Sequence, residues 1–300
     1  MQFDLAEQAA GLRATRAPFV LARVVLAERP TSAKPGDEAI VLADGTMLGF
    51  VGGTCAEATV RAQALALLDS GETLLLRITP TPEEQQPGKL TVHNPCLSGG
   101  TLEIFLQPIV PAPLVLVAGD APIGRALLAF GPALGYEVRG FEGEVPSDTS
   151  AVVVASHGRD EEEVLAAALR AKVPYVGLVA SRKRGEAVVA SLDLCSSMKG
   201  AVHTPAGLDL GARTSQEIAL SILAEIVATR PRPSGRSLDD DGRSIDESVA
   251  RTDAIDPVCG MSVAMVESSL HLDHEGERVW FCGSGCLRAF AADPSAYATS

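Results

Sequence analysis

The sequence has no long apolar run, few cysteines and no excess of cations, and each shortage excludes a class of protein. Apolar stretches such as Leu114 to Ala118 and Ala151 to Ala155 are strand-sized, far short of the roughly 20 residues that a membrane-spanning helix needs. The opening MQFDLAEQAAGLRATRAPFV carries acidic residues early and lacks the basic start and apolar core of a secretory signal. A cytoplasmic protein with no membrane partner is the expectation. Lys and Arg number 25 against 38 Asp and Glu, for a net charge of -13. Such a surface is repelled by phosphate at long range, which argues against nucleic acid as a partner. Six cysteines in 300 residues are too sparse for a disulfide scaffold. In a reducing compartment they read as ligands, nucleophiles or small buried hydrophobes.

What is present is core material: 46% of the residues are hydrophobic, enough for two ordinary domains or a large one and a small one. Early in the chain the pattern is α+β. A strand at Val20 to Leu26 is followed by a hairpin, Glu38 to Leu42 and Thr46 to Val51, turned at Asp44-Gly45. A helix from about Cys55 to Leu68 stops at Gly71, and strands at Thr73 to Ile78 and Leu102 to Gln107 complete the region. The proline-rich segment Pro108 to Pro113 ends it. Beyond, strands and helices alternate: Leu114 to Ala118, helix Pro122 to Leu134, Glu137 to Phe141, Ala151 to Ala155, helix Glu161 to Ala171, Tyr175 to Val179, helix Arg182 to Ala190. This alternation predicts a parallel sheet covered by helices. A helix over Ser215 to Ala228 closes the domain, with Thr214 and Glu217 spaced as a capping box. In Arg230 to Thr252, Pro, Ser, Gly and acidic residues replace apolar periodicity, as in a flexible linker. The fold class is therefore α/β: an α+β domain at 1–108, a Rossmann-like parallel sheet with flanking helices at 109–229, a linker at 230–252 and a small metal-binding module at 253–300, folding as its own unit.

The first strand of the parallel sheet runs into Gly119-Asp120-Ala121-Pro122-Ile123-Gly124 and then a helix, the context in which a glycine fingerprint means phosphate binding. Gly119 permits the tight turn, Gly124 lets helix pack on strand, and the helix N-terminus offers N–H groups to a phosphate. Ala121 replaces the middle glycine, and its methyl obstructs close approach of a pyrophosphate. Glu142, after the second strand, stands where a carboxylate accepts hydrogen bonds from a ribose diol. Ser181 and Arg182 open a helix directly after a strand and add a hydroxyl and a cation at the same edge. These residues leave ligand binding and an emptied scaffold as even alternatives.

In the first domain, Gly52-Gly53-Thr54-Cys55 puts a thiol at a helix N-terminus, which favours thiolate. Asn94-Pro95-Cys96-Leu97-Ser98-Gly99-Gly100 places a second in a loop whose backbone amides can converge on an anion. Soft-metal ligation or sulfur transfer is the functional reading, and a small buried hydrophobe is the alternative for Cys55. Cys195 reads as structural.

From about Pro18 to Arg230 the sequence resembles the XdhC/CoxI family of accessory proteins for xanthine dehydrogenase and carbon monoxide dehydrogenase. The similarity runs through VGGTCAEA, NPCLSGGTLEIFLQP, VAGDAPIGRAL, PYVGLVASRKR and most specifically TPAGLDLGARTSQEIALSILAEIVA. The resemblance implies binding of the molybdenum cofactor, as molybdopterin or its dinucleotide form, and its sulfuration with a cysteine desulfurase. It also implies delivery to an apo molybdenum hydroxylase, a non-catalytic role and a homodimer. Cys96, or else Cys55, would then approach molybdenum, with the phosphate at Gly119 to Gly124. His157, Asp209 and Arg213 are further candidates for the cleft.

The tail pairs Asp256-Pro257-Val258-Cys259-Gly260-Met261 with Trp280-Phe281-Cys282-Gly283-Ser284-Gly285-Cys286. A metal held by Cys259, Cys282 and Cys286 would pin a hairpin to a short helix in a segment with little core of its own. This pattern resembles the YHS domain, a small metal-associated module. Zinc and copper both suit thiolate ligands, and His271, His274, a water or a partner residue are the candidates for a fourth ligand. Two other readings stand beside cofactor delivery. One is an NAD(P)-dependent oxidoreductase using Gly119, Gly124 and Glu142, which lacks an evident acid/base residue. The other is a heavy-metal sensor or carrier acting through the tail.

Overall fold

The computed structural model describes residues 5–94, 100–230 and 253–297. Two compact units divide them: the residues from Ala112 to Arg230 form one, and those before Ala112 together with those from Asp253 onward form the other. No helix among the described residues is long and apolar enough to cross a membrane.

The first unit opens with helix α1 (Leu5–Ala14) and strand β1 (Phe19–Glu28), followed by the hairpin β2 (Glu38–Leu42) and β3 (Met47–Gly49). The Asp44 carboxylate accepts the Thr46 N–H at 2.8 Å across the turn, and Gly45 takes φ +79, as the Asp-Gly signal requires. Helix α2 (Thr54–Ser70), β4 (Leu74–Thr79), β5 (Leu90–His93) and β6 (Thr101–Ile109) complete a six-stranded sheet of order β3-β2-β1-β6-β4-β5. Along β6, Leu102, Ile104 and Leu106 are buried while Phe105 is exposed, the alternation of a sheet with one covered face. That face receives α2 through Ala56, Val60, Ala64 and Leu67. Gly71 ends α2 in the left-handed conformation, its N–H bonding the Leu67 carbonyl at 2.8 Å. Pro108 does not stop β6. Pairing to β4 ends at Leu106, so Pro108 lies where that side of the strand is an edge and no ladder donor is needed.

The second unit runs β7 (Leu114–Ala118), α3 (Pro122–Phe130), β8 (Glu137–Gly140), β9 (Thr149–Val154), α4 (Glu161–Arg170), β10 (Tyr175–Leu178), α5 (Arg182–Ser191), α6 (Ser196–Lys199), β11 (Val202–His203) and α7 (Ser215–Thr229). Its five strands are all parallel, in the order β11-β10-β9-β7-β8. Every residue of β7 is buried, because alternate side chains enter two different cores. Val115, Val117 and Val153 pack with α3 and α7, whereas Leu116, Val152 and Val154 pack with α4. The capping box forms as expected: Thr214 Oγ1 accepts the Glu217 N–H at 3.2 Å, and Glu217 Oε2 accepts the Thr214 N–H at 2.9 Å.

In the tail, β12 (Asp253–Ile255) pairs with β13 (Ser262–Ala264), and β14 (Leu270–His274) pairs with β15 (Glu277–Phe281) around Glu275-Gly276, both at positive φ. Helix α8 (Ser284–Ala292) follows, with Phe290 against Phe281 at 5.3 Å between ring centroids. The tail's small apolar cluster of Met261, Val263, Trp280 and Cys282 includes Ala58 and Cys55 of α2. Val266 and Ser268 reach the hairpin turn, where the Ser268 hydroxyl donates to the Asp44 carbonyl at 3.3 Å. Sequence reading treats the tail as its own unit, yet its core is closed by a helix from the first domain. So small a segment has too little apolar surface to enclose a core alone.

Candidate functional site

Among the described residues, two places concentrate chemistry. The first is a cavity of about 780 Å³ at the carboxyl edge of the parallel sheet, a size suited to a small-molecule ligand. Its walls are the segment after β10 (Val179 to Arg182), the loop Pro205 to Ala212, and side chains including Ile123, His157, Arg184 and Ser221. Ser181 is the N-cap of α5, yet its hydroxyl makes no capping hydrogen bond. Ser181 and the exposed Arg182 both line the cavity at the N-terminus of α5, where a hydroxyl, a cation and free amides suit an anion.

Two carboxylates hold these walls. Glu161, at the start of α4 and 1% exposed, accepts the Gly158 N–H at 2.7 Å and pairs with Arg184 of α5. It thereby ties the left-handed turn at His157 (φ +54) to the helix that carries Arg182. The Arg184 guanidinium is held further above its ordinary range by its hydrogen bond to Glu161. Glu225 of α7 accepts the Tyr175 hydroxyl at 2.6 Å, the Gly207 N–H at 2.7 Å and the His203 ring at 3.0 Å. Burial pushes the Glu225 carboxyl up, but these three donors outweigh it and hold the carboxyl below its usual value. Neither carboxylate announces itself in the sequence: the partners of Glu225 lie 18 to 50 residues away, and no local spacing encodes them.

Of the residues picked from sequence, Ser181 and Arg182 line this cavity, as do His157 and Asp209. Gly119, Ala121, Gly124 and Glu142 do not. Gly119 (φ +101) is there for a close approach: a Cβ would lie 2.5 Å from the Ala155 carbonyl oxygen of the adjacent loop. Gly124 serves helix–strand packing, a Cβ meeting the Gly119 carbonyl oxygen at 2.9 Å and Val117 at 3.2 Å. Ala121 is the buried N-cap of α3, and Glu142 is exposed after β8. The glycine loop thus packs against its neighbour, and the cavity opens beside it, towards β10.

The second place is a cluster of thiols. Cys259 Sγ lies 3.4 Å from Cys282 Sγ, which lies 3.7 Å from Cys286 Sγ. Donor atoms of all three and of Asp256 fall within 4.8 Å of one another. A tetrahedral metal at about 2.3 Å from each sulfur separates the sulfurs by about 3.8 Å, so the three thiols sit at the spacing of a metal-bound set. The hydrogen bond with Cys282 lowers the Cys259 pKa; Cys282 is raised by its hydrogen bonds with Cys259 and Cys55 and by burial, and burial pushes Cys286 up to about 12. Asp256, fully buried, accepts the Val258 N–H at 2.9 Å and the Cys282 N–H at 2.8 Å. It braces the two turns that carry the cysteines. His271 and His274 are outside this donor set, the first bonding the Ser269 carbonyl with its ring tilted against Trp280, the second edge-on to Phe290.

Cys55 packs beside this cluster, outside the set of donor atoms that fall within 4.8 Å of one another. A Cβ placed on Gly283 would stand 3.7 Å from Cys55 Sγ, and Cys55 also lines a pocket of about 320 Å³ with Asn94, Gly100 and Gly283 to Gly285. Cys96 lies outside the described residues. Cys195, read as structural, is exposed, at the N-cap of α6.

Residues 12–79 match the XdhC and CoxI family, residues 115–226 the XdhC Rossmann domain, and residues 254–300 the YHS domain. The chain is 24% identical over 259 residues to Uncharacterized protein YqeB of Escherichia coli (strain K12), covering 76% of this chain and 46% of that protein. It is 26% identical over 257 residues to Molybdenum cofactor insertion chaperone PaoD of the same organism, covering 67% and 80%. It is also 24% identical over 170 residues to a probable xanthine dehydrogenase subunit of Bacillus subtilis (strain 168), covering 47% and 50%. The chain thus spans about half the length of two of these relatives. The protein carries both domains of the XdhC and CoxI family and, on its tail, a YHS domain.

Proposed function

We propose that this protein binds the molybdenum cofactor and delivers it to a xanthine dehydrogenase- or carbon monoxide dehydrogenase-type hydroxylase in the cytoplasm. The observation that carries the reading is the cavity of about 780 Å³ in the XdhC Rossmann domain, with Ser181 and Arg182 on its rim. The cofactor's terminal phosphate meets the α5 N-terminus and Arg182, while the apolar part of the lining, Ile123, Val179 and Leu208, accepts the flat pterin. The similarity to an insertion chaperone supports delivery over turnover. Cys96 serves as the sulfur ligand towards molybdenum, a cysteine desulfurase supplies sulfur, and the working form is a homodimer. The tail holds zinc or copper(I) through Cys259, Cys282 and Cys286.

The test is the pterin and molybdenum content of the protein purified from cells that make the cofactor, compared with Arg182→Ala, Ser181→Ala and Cys96→Ser. Co-purified pterin that falls about tenfold in Arg182→Ala, the loss of roughly one charge-assisted contact, supports the reading. Absence of pterin together with saturable NAD binding overturns it.

A further inference from the structure

The tail offers three sulfurs to a metal that completes its shell with four donors in structural thiolate sites. The geometry points to Cys55 as the missing ligand: we propose a four-thiolate centre formed by Cys259, Cys282 and Cys286 of the tail with Cys55 of the first domain, so that the metal fastens one to the other. The inference rests on the reading of the tail as a metal site and adds a ligand from outside it.

Three observations carry it. Cys55 packs in the same apolar cluster as the tail cysteines, and its sulfur lies 3.7 Å from where a side chain on Gly283, the neighbour of Cys282, would begin. Asp256, the other donor at hand, already accepts one backbone N–H on each carboxylate oxygen. It acts as a brace that aims Cys259 and Cys282. Finally, Cys55 is in the first turn of α2, a 17-residue helix, and Cys286 is in the first turn of α8. Two helix N-termini thus converge on the sulfurs. Their partial positive charges oppose the net negative charge of a divalent ion with four thiolates.

A metal there closes a loop between residues more than 200 positions apart. Through Cys55 it also borders the pocket beside Asn94 and Gly100, so metal occupancy at the tail shapes a surface of the first domain.

The decisive measurement is X-ray absorption at the zinc edge on the full chain loaded with zinc, alongside Cys55→Ser and Cys282→Ser. Four sulfur scatterers falling to three sulfurs and one oxygen in Cys55→Ser is the expected result. A sulfur number unchanged by Cys55→Ser, but lowered by Cys282→Ser, overturns the role of Cys55 and leaves the tail site standing. Failure of the native chain to take up zinc or copper(I) overturns both. Alkylation followed by mass spectrometry gives a second readout on the unaltered chain: zinc should shield Cys55 and a chelator should restore its labelling. Equal labelling with and without zinc counts against the ligand.

Discussion

The cavity of the parallel-sheet domain and the thiol cluster of the tail are both built from loops, but they are held in place by different means. The cavity rests on a domain with two full cores, one on each face of its sheet. Its walls are fixed by Glu161, through Gly158 and Arg184, and by Glu225, through Tyr175, His203 and Gly207. The thiol cluster sits on a few apolar residues borrowed partly from α2, and its sulfurs lie close together as a metal-bound set does. One site is framed by the cores of its own domain; the other draws part of its packing from a helix of the first domain.

Metal removal separates the two most sharply. Chelation should release the protection of amides across residues 253–297 by at least about 3 kcal/mol, given that structural zinc contributes on the order of 10 kcal/mol or more to small metal domains. The amides of β7, β9 and β10 should be unchanged in the same hydrogen-exchange experiment. Exchange that stays slow throughout would show that packing on α2 alone maintains the tail.

Within the parallel-sheet domain, Glu161→Ala should cost about 3 kcal/mol in urea denaturation. It leaves the Gly158 N–H and Arg184 without their buried partner. It should also lower pterin content, because the His157 turn and the start of α5 lose their tie. The metal content of the tail should not respond.

The smallest effect expected is that of Glu225→Gln, about 1 kcal/mol at neutral pH, and its sign with pH is set by the depressed carboxyl. A group held below its ordinary value of 4.5 stabilises the fold above that value, and the contribution is lost as pH falls through the folded value. The native chain should therefore lose stability more steeply than Glu225→Gln on acidification below about pH 4.5. Parallel acid-denaturation curves would remove Glu225 from the account.

Much of this architecture was legible in the chain because its signals are local. The Asp44-Gly45 turn, the Gly71 stop, the Thr214–Glu217 box and the unbroken apolar strand Leu114 to Ala118 each act over a few residues, and each is realised. The strand through Pro108 was not legible, since whether a proline breaks a ladder depends on which neighbour ends where. The roles of Gly119 and Gly124 were partly so: the tight turn and the packing are there, but the ligand-sized space lies beside them.

By itself, the sequence determined the domain types, the parallel sheet, the tail cysteines and the helix start at Ser181-Arg182, because periodicity, caps and short spacings are written within a turn or two of chain. Only the tertiary structure decided that Glu225 gathers Tyr175, His203 and Gly207, and that Cys55 packs into the apolar cluster of Cys282, more than 200 residues away. Contacts of that kind arise from how sheets and helices stack, and no local pattern of residues records them.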